Sequence, residues 1–129
     1  MRVALAAIAL GSLLGFATLA QAGILASPPV YGGAPGVGGA FTCRIFNAGT
    51  TPVTITARKI IIPPGIVIPL SSDTCNVPLG GGKYCAFASG VANISYMCEA
   101  VTTVSAVNLR GIGEVQTSAH AIVTAEPMR

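Results

Sequence analysis

Four cysteines, Cys43, Cys75, Cys85 and Cys98, constrain this chain more than any other feature. An even number of cysteines in a small exported chain is a disulfide framework, and four of them allow three pairings. Alternation selects among the three. Ala92, Ile94, Tyr96, Cys98 and Ala100 alternate with Asn93, Ser95, Met97 and Glu99, which puts Cys98 on the apolar face of a strand. Phe41, Cys43 and Ile45 alternate in the same way, so both thiols point into one core and are predicted to pair. Cys75 and Cys85 flank a Pro-Leu-Gly-Gly-Gly segment whose turn brings them together as the second pair. By loop length the two bridges add about 4 and about 3 kcal/mol in the chain-entropy model. A zinc site built from the same residues needs close Cys-x-x-Cys pairs, and the sequence has none.

Export is read from the first residues. Met1 and Arg2 are followed by an uncharged stretch over residues 3–20 and by Ala20-Gln21-Ala22, the parts of a signal peptide, so cleavage is predicted after Ala22. A membrane anchor is the competing reading of this stretch. Gly11, Ser12, Gly15, Thr18 and the small-residue site favour removal instead. What remains is short enough for one domain with a single thin core. Its six cations (Arg44, Arg58, Lys59, Lys83, Arg110 and Arg129) and four acids (Asp73, Glu99, Glu114 and Glu126) are scattered singly. That distribution offers no electrostatic footprint for nucleic acid or for an anionic membrane, so neither is expected as a partner once the signal is cut.

Residues 23–39 are dominated by Gly and Pro and read as a flexible leader, which places the start of the stapled domain at residue 40 and its end at residue 129. Short β-rich runs follow. Residues 41–47 are the first, and in residues 52–62 Val53, Ile55 and Ala57 alternate with Thr54, Thr56 and Arg58. Pro63-Pro64-Gly65 is a turn, and residues 66–70 form an edge strand because Pro69 cannot donate to a ladder. Further strands are expected over residues 83–88, 92–102 and, split near residues 117–119, 109–126. No helical period appears after the signal. The sum is an all-β domain, an immunoglobulin-like β-sandwich of about seven strands, with a small β-barrel as the alternative. The signature tryptophan of true immunoglobulin domains is missing, since the chain has no Trp.

The run from Cys43 through Asn47-Ala48-Gly49-Thr50-Thr51-Pro52-Val53 to Ile55 carries a resemblance. With Cys75 and Cys85 around a Gly/Pro-containing turn, then Tyr96-Met97-Cys98 and Leu109-Arg110-Gly111, it is similar to a loose group of small exported bacterial proteins with four cysteines. The resemblance implies a β-sandwich in a bacterial envelope setting. The group has no assigned activity, so it assigns no functional residue here.

Catalytic and metal-binding groups are few. His120 is the only histidine, too few for a blue-copper or catalytic zinc site, and it reads as an exposed strand residue. A copper(I) set of His120 with Met97 and Met128 is the sharper alternative. Ser71, Ser72 and Asp73 are adjacent without a Gly-x-Ser-x-Gly elbow and read as a polar loop. In Gly80-Gly81-Gly82-Lys83 the next residue is Tyr84 and no helix follows, so this is a hairpin tip and not a phosphate loop. Asn93-Ile94-Ser95, a glycosylation acceptor by pattern, is placed within a strand. Phe41, Phe87 and Tyr96 belong to the core, while Phe46 and Tyr84 are left as a small surface patch. The expectation is therefore a non-enzymatic exported binding or structural module with no metal or cofactor, whose partner is a protein or another envelope component. A fimbrial or pilus-type subunit is the first alternative, and a small periplasmic metal carrier or hydrolase the second. The partner is expected at the clipped loop, at Ser71, Ser72, Asp73, Lys83 and Tyr84, because loops held by a rigid frame tend to carry binding, and the leader is expected to be dispensable.

Overall fold

The structure, a computed structural model, describes residues 22–33 and 39–129. The predicted signal peptide lies outside the described residues except for Ala22, as do residues 34–38 of the predicted leader.

The chain forms two antiparallel five-stranded sheets packed face to face, a β-sandwich that does not close into a barrel. One sheet is built from β1 (Gly23–Ala26), β2 (Val30–Tyr31), β8 (Ser95–Thr102), β4 (Ile55–Ile62) and β5 (Ile66–Ile68). The other runs, in order, β10 (Ile122–Met128), β9 (Leu109–Thr117), β3 (Gly39–Asn47), β7 (Tyr84–Gly90) and β6 (Ser72–Asp73). A short 3-10 turn over Ala106–Asn108 is the one helical element among the described residues. No helix there is long and apolar enough to cross a membrane. Among the described residues there are ten strands, more than the predicted number, because the short pairings of β1, β2 and β6 leave no run of alternation long enough to read.

Alternation does place the core. On β3, Phe41, Cys43 and Ile45 are fully buried and meet Phe87 of β7, Val115 of β9 and Tyr96, Cys98 and Ala100 of β8. The rings of Phe41 and Tyr96 stack at 5.1 Å between centroids. Gly113 of β9 keeps this contact close, since a Cβ would stand 3.0 Å from the Cys98 sulfur and 3.2 Å from Phe41, tighter than ordinary packing. On β4 the predicted period of two fails after Ile55. A register shift between Ile55 and Ala57 inserts a bulge, and the inward position moves to Ile60. β5 is an edge strand as expected, paired only to β4.

Both predicted disulfides are present. Cys43–Cys98 joins β3 to β8, the inner strands of facing sheets, and spans 55 residues of chain. Cys75–Cys85 spans 10 residues and ties the loop after β6 to the start of β7. Such bridges suggest an oxidising, extracytoplasmic location.

The leader reading is corrected for residues 23–33. Gly23–Ala26 pairs with Glu99–Thr102 of β8, and Val30 and Tyr31 pair with Tyr96 and Ser95 farther along the same strand. Pro28 and Pro29 interrupt the ladder because neither has an N–H to donate. Ser27 fills the gap from both its groups, its N–H donating to the Cys98 carbonyl and its hydroxyl accepting from the Cys98 N–H. Leu25 and Val30 are buried in the core. Ala26 and Arg129 exchange backbone hydrogen bonds at 2.9 and 3.0 Å, so the edge strands of the two sheets touch at this corner. Residues 23–26 and 30–31 are therefore part of the sandwich.

Two local placements also change. His120 sits at φ 61° in the turn between β9 and β10 and not in a strand, its N–H donating to the Thr117 carbonyl. It is exposed, as expected. Of Asn93-Ile94-Ser95 only Ser95 is in a strand; the other two lie in the turn before β8.

Candidate functional site

The loop predicted to meet a partner is held down by its own polar groups. Asp73 accepts from the Cys75 N–H at 2.8 Å and from Arg58 Nε at 2.7 Å. Arg58 also donates to the carbonyls of Ile55 and Cys75, which pins β4 of one sheet to the clip beside β6 of the other. Cys75 and Leu79 are buried, and Leu79 exchanges backbone hydrogen bonds with Val53. Asp73 is thus a structural ligand of the clip. Asp73→Ala is expected to lower stability by about 1–2 kcal/mol, because a partly buried N–H and a guanidinium lose their acceptor together. Chemical denaturation reads the change, and an unaltered midpoint would remove Asp73 from this role.

Asn47 does the same for the Asn-Ala-Gly-Thr-Thr motif. Fully buried, it donates through Nδ2 to the carbonyls of Thr51 and Leu79 and accepts the Gly49 N–H on Oδ1. The motif that carries the resemblance is therefore a turn device. Ser71 and Ser72 are exposed at the edge of the sheet, the Ser71 N–H and hydroxyl both reaching the Ala88 carbonyl. Lys83 is exposed next to the Gly80 turn.

Tyr84 is the member of the predicted set that faces something else. Ser72 pairs with Ala88, four residues along β7 from Tyr84, so the serines stand about 13 Å away from it. Tyr84 lies directly across from Phe46 of β3, and Phe46 lies across from Arg110 of β9 on its other side. Because Ile45 points inward, Phe46 and Arg44 point outward. One row on the outer face therefore reads Tyr84, Phe46, Arg110, and the next reads Ala86, Arg44, Ile112. Between the rows is an open depression of about 360 Å³ with Gly111 at its floor. Tyr84 is 69% exposed and Phe46 43%.

The two guanidinium groups differ in what already occupies them. Arg44 Nε meets Glu114 Oε1 at 2.5 Å, and the same oxygen accepts from Gln116 at 2.5 Å. Glu114 is nearly buried, so this acid neutralises Arg44 from the side away from the depression. Arg110 has no ion-pair partner among the described residues. Its Nη1 donates to the carbonyls of Val107 and Leu109, which fixes the side chain and leaves the rest of the fork free. The depression thus joins an aromatic wall to one net positive charge.

The sequence reading found Phe46 and Tyr84 but not the arginines. Arg44 and Arg110 lie far apart in the chain, and only the β3–β9 register brings them to one face. Among the described residues no three His, Cys, Asp or Glu side chains gather as a metal ion requires. Comparison with family models, with curated proteins and with solved structures gave no match.

Proposed function

We propose that this chain is a non-enzymatic binding module exported to the bacterial cell envelope or exterior after cleavage of residues 1–22, and that its ligand sits on the outer face of β7, β3 and β9. The observation that carries this reading is the grouping of Phe46, Tyr84, Arg44 and Arg110 around one depression. Exposed aromatic rings cost solubility, and a contiguous apolar patch edged with charge is characteristic of an interaction site. The strands beneath it are fixed by ladders on both sides of β3 and by the Cys43–Cys98 bridge, so the site is pre-organised.

The scaffold is read as immunoglobulin-like with exchanged ends. β3, β4, β5, β6, β7 and β8 take in order the places of strands B, C, C′, D, E and F, and Cys43–Cys98 takes the place of the B–F bridge. The N-terminal β1 lies beside β8, where that fold has its last strand, and β9 lies beside β3, where it has its first.

The test uses isotope-labelled mature protein in unlabelled envelope extract, so that only the labelled chain is seen by NMR. Amide shifts are expected along β3, β7 and β9 near Phe46, and to vanish in the Phe46→Ser, Tyr84→Ser double variant. Shifts confined to residues 71–83, or persisting unchanged in the double variant, would move the site elsewhere. An extract that leaves every amide in place would overturn the binding reading.

A further inference from the structure

We infer that the depression between Phe46 and Arg110 takes a small monoanionic aromatic molecule, an aromatic carboxylate by class; this rests on the binding-module reading and names its ligand chemistry. Three features of the site select that class.

The first is charge. Two guanidinium groups flank the depression, but Glu114 is already bound to Arg44, so the site carries one uncompensated positive charge, on Arg110. A monoanion balances it. A phosphate dianion would leave its second negative charge unmatched, since Arg44 is already paired. The second is geometry. Holding Arg110 through Nη1 on two carbonyls orients its plane and leaves Nε–H and Nη2–H₂ as a fork, which matches the two oxygens of a carboxylate. The third is the wall. The Phe46 ring and Ile112 side chain face the same space, and Tyr84 stands beyond Phe46 in the same row. An aromatic body stacks on such rings, and its burial supplies affinity that a bare anion lacks. The volume, about 360 Å³, lies at the small end of ligand clefts and fits a single ring with its acid group.

Macromolecular anions fit worse. Nucleic acid needs a stripe of cations, and Arg110 stands as one free guanidinium between Phe46 and the edge of the sheet.

Benzoate is the probe, with benzamide as its neutral isostere and acetate as the anion without a ring, each titrated into labelled mature protein and followed by NMR. Benzoate is expected to bind in the millimolar range with shifts at residues 44–46, 84 and 110–112. Benzamide and acetate are each expected to bind about tenfold more weakly, since each lacks one of the two contributions. Arg110→Gln, at an exposed position, is expected to reduce benzoate affinity about tenfold without changing the melting temperature, Arg110→Lys to restore part of it, and Phe46→Ala to weaken benzoate but not acetate. Equal binding of benzoate and benzamide, no saturation by benzoate, or an unaltered affinity in Arg110→Gln would each overturn the assignment. If the extract still shifts the amides near Phe46 and benzoate does not bind, the ligand class is wrong and the binding module stands. Silence in both experiments removes both.

Discussion

A chain that begins after Gly33 is expected to lose its cooperative unfolding transition, and Leu25→Asp in the full mature chain to lower stability by about 3–4 kcal/mol, among the larger effects a single change has. The truncation strips the outer edge from β8, the strand that carries Cys98 and Tyr96. It removes Leu25 and Val30 from the core and the Ser27 hydroxyl and N–H from the Cys98 backbone. It also opens the corner where Ala26 meets Arg129. Leu25→Asp is the cleaner probe, because the ordering cost of the segment is unchanged while a carboxylate replaces a side chain that is 4% exposed. Thermal unfolding by circular dichroism checks both. A truncated chain that melts cooperatively at the full-length temperature would return residues 23–33 to the role of a dispensable leader.

That segment also shows where sequence reasoning stops. Gly23, Pro28, Pro29, Gly32 and Gly33 give residues 23–33 the composition of a linker. Pairing with β8, however, asks only for backbone N–H and C=O groups, and burial asks only for Leu25 and Val30. Neither demand shows in composition, and Pro28-Pro29 hides the fact that β1 and β2 follow one path along β8. The disulfides were legible because Cys43 and Cys98 each lie in a long alternating run, where the face of a thiol follows from its neighbours. The bulge at residues 55–57 was not, because an inserted residue reverses alternation without any glycine or proline to mark it.

The candidate site divides along the same line. Tyr84 and Phe46 are the two aromatic residues of the predicted strands after residue 40 with no place on a core face. Arg44 and Arg110 join them only through strand register, a property of β3 against both β7 and β9. Asp73 belongs to the clipped loop, where a rigid frame favours binding residues. Its real neighbours, Arg58 from the opposite sheet and the Cys75 N–H, turn it into a fastening of the clip.

Replacing Cys43 and Cys98 together by Ala is expected to cost about 4 kcal/mol by the length of the closed loop, and more through the space left beside Phe41 and Gly113. In a domain of this size, where net stability is about 5–15 kcal/mol, the melting temperature falls by about 20 °C or the fold is lost. The bridge is central in position as well as in length. It joins β3, which carries the outer row of the candidate site, to β8, which receives β1, β2 and β4. Replacing Cys75 and Cys85 acts on a closed loop of only 10 residues and leaves both main ladders of β3 intact. The double variant at the clip is therefore expected to keep a cooperative transition and the benzoate site, with a smaller loss of about 3 kcal/mol or less. Scanning calorimetry with benzoate titration of each double variant separates the two roles. If removing the 10-residue clip destabilises the domain more than removing the 55-residue bridge, the clip and its Asp73 to Arg58 link hold the sheets together, and Cys43–Cys98 is only local packing.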